Sequence, residues 1–353
     1  MHACKVEYGC PTNSMGAVSV KEIAAHCNTY KGADAGRSIF QLATTLALFF
    51  STCALMLYAL NISYWITALL VIPASGLLTR LFIFQHDCGH GSFFNSKAAN
   101  DWVGRFLSLL TVTPYDFWRR AHNMHHATSG DLDRRSIGGI DTITVREYNE
   151  MTRRQKIIYR IYRNPFVLLI LGTPFHVLVV QRVPYMYDPH FHKDYQTLSN
   201  KSCWKSIMMT NVSLVVFYGF LASIFGFGAL LAVYLPIVIA TSCIGGWLFF
   251  IQHQFEEAYW ERHQNWERQE AALMGSSYYA LPKILQWFTG NIGLHHIHHL
   301  CSSIPNYKLQ ACMDARPELR EINRLTFRDS LKCLRFKLWD EQSSRLVGFE
   351  AVA

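Results

Sequence analysis

Two long runs of apolar residues dominate the chain, and neither contains Asp, Glu, Lys or Arg. The first extends from Ile39 to Thr79 and the second from Ser206 to Gln252, which is 41 and 47 residues. As α-helix at 1.5 Å per residue they would measure roughly 60 and 70 Å, whereas one bilayer crossing takes about 20 residues. Each run is therefore long enough for two crossings. A buried helix of a water-soluble protein is excluded, because such a helix needs a polar face.

The two runs predict an all-α integral membrane protein whose transmembrane helices form two hairpins. Asn61–Ser63 divides the first run and Gly226–Gly228 divides the second. A shorter apolar stretch at about 166–180 contains Pro174 and His176 and is too short to span comfortably. We predict that it is an interfacial or re-entrant element. The predicted spans are about 39–60, 64–84, 206–225 and 229–251.

The distribution of Lys and Arg predicts the orientation in the membrane. Basic residues accumulate in cytoplasmic segments, and the two short connections within the hairpins contain none. Within the predicted spans only Arg80 is basic, near the inner end of its helix, where its side chain is expected to snorkel to the surface. Both termini are therefore predicted to be cytoplasmic. The predicted organisation is an N-terminal cytosolic segment (1–38), a membrane domain (39–312) with a cytosolic helical cap, and a C-terminal cytosolic tail (313–353).

Composition adds little beyond this pattern. Among 353 residues the formal net charge is +8, which follows from the basic cytoplasmic segments and needs no anionic partner. A basic patch on a nucleic-acid reader fold is absent from the sequence pattern, so no nucleic acid is expected. The ten cysteines show no CxxC pair or regular spacing, which predicts no disulfide framework and favours a reducing compartment. The features of a cleaved signal peptide are not seen at the N-terminus.

Histidines are the candidate chemistry, because nine of the 16 occur at four places with ligand spacing. Residues i, i+3 and i+4 of a helix share one face, so each group can direct its imidazoles at one locus. All four places lie at inner ends of spans or in inner segments. Crowded imidazoles without a metal would leave many ring nitrogens without partners. The predicted metal ligands are His86, His90, His122, His125, His126, His253, His295, His298 and His299.

The other histidines are not predicted to be ligands. His296 lies about 100° around a helix from His295, so we expect it beside the ligands or facing the substrate. His263 lies ten positions after His253, off its face, and is expected to be solvated. Those without repeated spacing or in the polar N-terminal segment are expected to be structural or solvated, namely His2, His26, His176, His190 and His192.

The number of predicted ligands limits which metal ions the site can hold. Imidazole suits zinc, copper, iron and nickel, but a catalytic zinc site uses about three protein ligands. Nine histidines are too many for one zinc ion and suit two metal ions. Haem would require histidines inside the spans, whereas these lie at the edge. Two iron ions that activate dioxygen are the best match, with two zinc ions as the alternative.

Three histidine boxes resemble those of the membrane fatty-acid desaturases. They are HDCGH at 86–90, HNMHH at 122–126 and HHIHH at 295–299, followed by the similar runs SGDLDRR at 129–135 and IPNY at 304–307. The resemblance covers about residues 39–312. It implies a non-haem diiron enzyme that removes two hydrogens from an acyl chain with dioxygen as co-substrate and two supplied electrons. By the resemblance, His253 corresponds to the family's ninth histidine.

Details of the boxes are similar to those of the acyl-lipid, Δ12-like subgroup. Three residues separate His86 from His90, and the third box begins with His295 in place of the glutamine of front-end desaturases. The HPGG motif of a fused cytochrome b5 domain is not present. The resemblance therefore implies membrane-lipid acyl chains as substrate and a separate electron donor, a ferredoxin or a cytochrome b5 with its reductase.

Polar neighbours of the boxes are expected to orient the ligands, because metal-bound imidazoles usually donate their second N–H to a carboxylate or carbonyl. For Asn291 the expectation comes from the family, in which an asparagine faces the metals. The expected residues are Asp87, Asp131, Asp133, Glu256, Glu257, Asn291 and His296.

Other functions remain open on the same residues. A hydroxylase, ketolase or conjugase would share the boxes and differ only after the first hydrogen is removed. A membrane zinc hydrolase would hold zinc without iron and would need no oxygen. A metal transporter would need ionisable residues along a path through the bilayer, and the spans contain none apart from Arg80.

Overall fold

The architecture is almost entirely helical, as predicted, in a computed structural model that describes residues 19–183 and 201–352. His2, His190 and His192 lie outside the described residues. The α-helices are α1 (Val20–Asn28), α2 (Ala35–Ala59), α3 (Tyr64–His90), α4 (Lys97–Thr111), α5 (Tyr115–Thr128), α6 (Val145–Glu150), α7 (Arg153–Tyr162), α8 (Thr173–Leu178), α9 (Lys201–Phe225), α10 (Phe227–His253), α11 (Arg268–Met274), α12 (Lys283–Phe288), α13 (His295–Leu300), α14 (Asn306–Asp314) and α15 (Phe327–Lys332).

Four of these helices, α2, α3, α9 and α10, are long and apolar enough to cross a membrane. They confirm the four predicted spans. Their outer faces expose apolar side chains such as Ile72 and Val215, which are 72% and 74% exposed. A water-soluble monomer rarely exposes such large contiguous apolar surface, whereas a bilayer matches it. The chain is therefore a membrane protein.

Two spans continue without a break beyond the predicted apolar segments. Helix α3 extends past Phe84 to His90 and ends at Gly91, whose φ of 71° is the left-handed conformation of a helix C-terminus. Helix α10 likewise extends to His253. The first histidine box and the single histidine are thus part of the rigid spans themselves, and α3 packs against both α2 and α10.

The remaining helices form a cap that includes both ends of the described chain. Helix α1 packs on α14, where His26 Nε2 lies 3.0 Å from the Cys312 carbonyl oxygen. The segment 313–353, predicted as a tail, is instead packed into the cap over its described residues, with Trp339 and Leu346 buried. Apolar side chains of this segment are thereby removed from water, which explains why it does not form a separate tail.

Short strands tie the cap together. They are β1 (Ile143–Thr144), β2 (Tyr278–Tyr279), β3 (Arg324–Leu325), β4 (Leu338–Asp340) and β5 (Arg345–Val347). Strand β1 pairs in parallel with β4, which pairs antiparallel with β5, while β2 pairs in parallel with β3.

The short apolar stretch at 166–180 is bent and broken. It comprises a π-helical turn at Phe166–Gly172, helix α8 and a 3₁₀ turn at Val180–Arg182, and it meets α7 at 61°. This is the geometry of a broken span or of a re-entrant loop. Thr173 seats the element on α10 at Gly246, where a β-carbon would collide with the threonine side chain.

Arg80 does not snorkel to the surface, contrary to the expectation. It is buried within the helices, donating to Gln41 Oε1 (3.1 Å), Thr45 Oγ1 (3.3 Å) and the Trp287 carbonyl. Its guanidinium also lies over the Trp287 ring, 4.4 Å from the centroid. A buried charge is tolerated only with such partners, and these come from α2 and α12, so Arg80 joins the membrane helices to the cap.

The neighbouring glycines of α10 provide a test of how the bent element is seated. Gly246→Ala should lower the free energy of unfolding by about 1–3 kcal/mol, the usual cost of overpacking. Gly245 has open space around its β-carbon position, so Gly245→Ala should be neutral or stabilising by up to about 1 kcal/mol through helix propensity. Thermal unfolding in detergent, followed by tryptophan fluorescence, measures both. Equal effects of the two substitutions would contradict the packing of Thr173 on α10.

Candidate metal centre

The ends of four helices bring all nine predicted ligands together. The C-terminal turn of α3 carries the first pair, α5 carries the first triplet, α10 ends at His253 and the short helix α13 carries the last triplet. Each triplet follows the i, i+3, i+4 spacing that places side chains on one helix face. The sequence spacing therefore determines which side of each helix faces the cluster, and the fold supplies the convergence.

The imidazoles form two groups, each with ligand nitrogens within 4.8 Å of one another. Group one is His86, His90, His122, His126 and His298. Group two is His125, His253 and His299.

His295 adjoins group two, because its Nε2 lies 3.2 Å from that of His253. The two groups are neighbours, since the rings of His126 and His299 stack with centroids 4.0 Å apart. The nine predicted ligands are thus the five histidines of group one and the three of group two together with the adjoining His295.

The donor set fits metal ions. Several ring nitrogens are buried without a hydrogen-bond partner, including His86 Nε2, His90 Nε2 and both nitrogens of His299. Other nitrogens face each other, as His125 Nε2 and His253 Nε2 do at 3.1 Å. A buried polar group without a partner costs free energy, and a cation shared by these nitrogens would supply the missing partner.

Burial also sets the protonation state that metal binding requires. Removal from water, and next the positive charge of neighbouring histidines, lowers the pKa of six imidazoles on α5 and α13 well below the ordinary 6.5. The rings are therefore neutral near pH 7 and present lone pairs, the form in which histidine binds metals. This applies to His122, His125, His126, His295, His298 and His299.

Two ligands are oriented by hydrogen bonds from the ring nitrogen that faces away from the cluster. His253 Nδ1 lies 3.1 Å from the Gly275 carbonyl oxygen, which leaves Nε2 directed at group two. His86 Nδ1 lies 3.3 Å from Asp87 Oδ1. The other oxygen of Asp87 accepts from the backbone N–H of Asn306 at 2.8 Å and from its side-chain amide at 2.9 Å.

Asn291 extends this network, because its amide nitrogen donates to the Asn306 carbonyl oxygen at 3.1 Å. Neither the role of Asn306 nor that of Gly275 was expected from the sequence. Asn306 belongs to the IPNY run at 304–307. The sequence marked this run as similar to the family but gave no role for the asparagine. The Gly275 contact uses a backbone carbonyl, for which side-chain identity gives no signal.

Aromatic side chains close the cluster against water. The Trp118 ring stacks on His122, with centroids 4.7 Å apart and planes 14° apart. Gly89 permits this approach, since a β-carbon there would lie 3.0 Å from the indole. On the other group, Phe249 contacts both His125 and His253, at 5.1 and 5.2 Å between centroids.

Three of the acidic residues expected at the ligands have other partners, and a fourth is exposed. Asp131 accepts from His263 Nδ1 at 2.7 Å, so this histidine is paired and not simply solvated as expected. Asp133 forms an ion pair with Arg262 at 2.7 Å. Glu256 is exposed and lies 3.5 Å from Arg345, and Glu257 is exposed. Of the acids expected beside the histidines, only Asp87 has a contact with a predicted ligand among the described contacts.

His296 is buried beside the third triplet but faces away from both groups. Its Nε2 lies 2.9 Å from the Leu319 carbonyl oxygen, and its ring lies against Tyr278. The 100° offset from His295 thus directs it into the core of the cap. It holds α13 to the segment that follows α14.

Comparisons with known proteins agree with the histidine boxes. The family described as "Fatty acid desaturase" matches residues 38–330. A "Fatty acid desaturase" of Bacillus subtilis is 39% identical over 332 residues, 94% of this chain and 91% of that protein. An "sn-1 acyl-lipid omega-3 desaturase (ferredoxin)" of Synechocystis sp. is 28% identical over 254 residues, 70% of this chain and 67% of the relative. An endoplasmic-reticulum omega-3 fatty acid desaturase of Vigna radiata is 28% identical over 278 residues, 72% of this chain and 66% of the relative.

Substituting one ligand of each group should remove metal. His125→Ala and His298→Ala should each lower the metal content and abolish activity, because the remaining imidazoles no longer complete the set. Elemental analysis of the purified protein measures the first effect and product analysis the second. His263→Ala is the matched control, since His263 pairs with Asp131 outside both groups. Full metal content and wild-type product in either ligand variant would contradict the assignment.

Removal of the Asp87 carboxylate should weaken metal binding without removing a ligand. Asp87→Asn loses the negative acceptor beside His86 Nδ1, and such partners typically contribute 10–100-fold to metal affinity. Competition with a chelator measures the affinity. Asp133→Asn breaks a surface ion pair with Arg262 and should leave it unchanged. An Asp87→Asn protein with wild-type affinity would show that the carboxylate does not support His86.

Proposed function

The chain belongs to the fatty acid desaturase family, and from that premise we propose that it is an acyl-lipid desaturase with two non-haem iron ions. The proposed reaction uses dioxygen and two electrons to introduce one double bond into the acyl chain of a membrane lipid. The observation that carries the proposal is the pair of adjacent histidine groups, which the ends of the membrane-spanning helices α3 and α10 form together with α5 and α13. Nitrogen ligands in this number suit two transition-metal ions better than one.

Iron bound at the two groups would supply the activation of dioxygen that an unpolarised methylene C–H bond requires. The chain itself contributes geometry and exclusion of water. Asp87 and the Gly275 carbonyl orient His86 and His253, while α3 and α10 fix the height of these ligands relative to the bilayer. Trp118 and Phe249 cover the two groups with apolar rings. The desaturation site would therefore lie where an acyl chain of the inner leaflet can reach it.

The proposed orientation places this site and both termini on the cytoplasmic side. The residues that connect α2 to α3 and α9 to α10 contain no Lys or Arg, as expected of outer connections. Both groups lie at the opposite ends of these hairpins. Electrons are proposed to come from a separate protein, and the name of the Synechocystis relative includes ferredoxin, which supports a ferredoxin over a cytochrome b5 as the donor.

Expression in a host with a simple lipid profile tests the reaction. Gas chromatography of fatty-acid methyl esters should show a new unsaturated species that requires oxygen during growth, and the purified protein should contain about two iron ions per chain, as a two-metal site demands. The His298→Ala protein is the inactive control. A hydroxylated product would indicate the hydroxylase alternative. Zinc without iron, with oxygen-independent turnover, would indicate a zinc hydrolase and refute the proposal.

A further inference from the structure

A small cavity reaches one histidine group from the surface of the cap. Its volume is about 40 Å³, and His125, His253 and Phe249 form its floor. A cavity needs about 10–15 Å³ of such space to hold one water molecule. The cavity therefore accommodates a few water-sized molecules and is too small for the methylene chain of a lipid.

The walls of the cavity are polar. Arg135, which is paired with Glu147 at 2.8 Å, lines one part and Asp141 another. Thr128 donates to Ser136 Oγ at 3.0 Å, and both residues belong to the lining. An acyl chain among charged and hydroxyl groups would displace their water without replacing its hydrogen bonds, which is unfavourable. Small molecules that are soluble in water are the fitting occupants.

Exposure changes from the rim to the floor. Gly139 is exposed and Ser136 is partly exposed, whereas His125 and His253 are each 6% exposed. The exposed charged residues Asp133 and Arg134 precede this segment of the rim, so the mouth opens to water and not to lipid. Of the described residues that line the cavity, none is a ligand of group one. The passage leads to group two alone.

We infer that this cavity is the route by which water-sized neutral molecules reach and leave the group-two metal position. The inference rests on the proposed function, because desaturation with dioxygen must admit a diatomic gas and release water at a buried site. One dioxygen, two electrons, two protons and the two hydrogens of the acyl chain yield two waters for each double bond. The exchangeable position therefore belongs to His125, His253 and His299, while the five-histidine group is closed on this side.

Narrowing the cavity at its rim provides the test. A β-carbon at Gly139 would meet only the Ser136 carbonyl oxygen, at 3.7 Å, so Gly139→Leu should fold and obstruct the mouth. Ser136→Leu adds bulk at a second lining residue, and Ser136→Ala is the matched control that leaves the cavity open. The probe is nitric oxide, a neutral diatomic gas, mixed with the reduced iron-loaded protein in lipid nanodiscs and followed by stopped-flow absorbance.

Each leucine variant should bind nitric oxide about tenfold more slowly, equivalent to about 1.4 kcal/mol in the barrier, while Ser136→Ala stays at the wild-type rate. Metal content identifies any variant that has not folded correctly. Wild-type nitric oxide rates in both metal-replete leucine variants would overturn the inference. So would unchanged rates together with an altered preference for acyl-chain length, because the occupant would then be the substrate.

A measurement that does not depend on iron chemistry separates this inference from the proposed function. In the purified full-length protein, Thr128→Cys should react with methyl methanethiosulfonate, and adding Gly139→Leu should slow that reaction, as followed by peptide mass spectrometry. If the cysteine behaves in this way but the wild-type protein holds no iron, the passage stands and the diiron proposal fails. If Gly139→Leu leaves the labelling rate unchanged, the passage is not the one described.

Discussion

The gathering of nine imidazoles in a small volume from which water is excluded is the constraint that governs this fold. Desolvation keeps the six rings contributed by α5 and α13 uncharged, and buried ring nitrogens without partners are costly unless something satisfies them. Four helix ends that are distant in the sequence must therefore meet within a few ångströms. Continuous helices from the membrane supply two of them, α3 and α10, and the cap supplies α5 and α13. The membrane-spanning helices α3 and α10 thus form one side of the site, and the cap helices form the other.

The sequence predicts those features whose signal is local or periodic. The four spans follow from uninterrupted apolar runs, and the ligands follow from i, i+3 and i+4 spacing, because both patterns are properties of a single helix. The division of the histidines into two groups depends on how the helices that carry them are arranged in space, and no spacing along the sequence encodes that arrangement. His126 and His125 are adjacent in the chain yet belong to different groups.

Features that depend on distant partners escaped prediction for the same reason. Arg80 was predicted to reach the membrane surface. Its actual hydrogen-bond acceptors, Gln41, Thr45 and the Trp287 carbonyl, are far from it in the sequence and could not be predicted as neighbours. Asp131 seemed a support for the second box, but the partner that approaches it is His263. The residues after 312 were predicted to be a tail because a strand of three residues, such as β4, gives no recognisable sequence pattern. It is identified only by its pairing with β1.

The pairing of β1 with β4 has a consequence for biogenesis. Ile143 cannot pair with Leu338 until the ribosome has synthesised nearly the whole chain. Both membrane hairpins have been synthesised before that point. The histidines of α13 are also synthesised late, whereas those of α3 and α5 are synthesised well before them. Metal loading should consequently be a post-translational event, so a stalled or shortened nascent chain would be inserted in the bilayer yet remain without an assembled active centre.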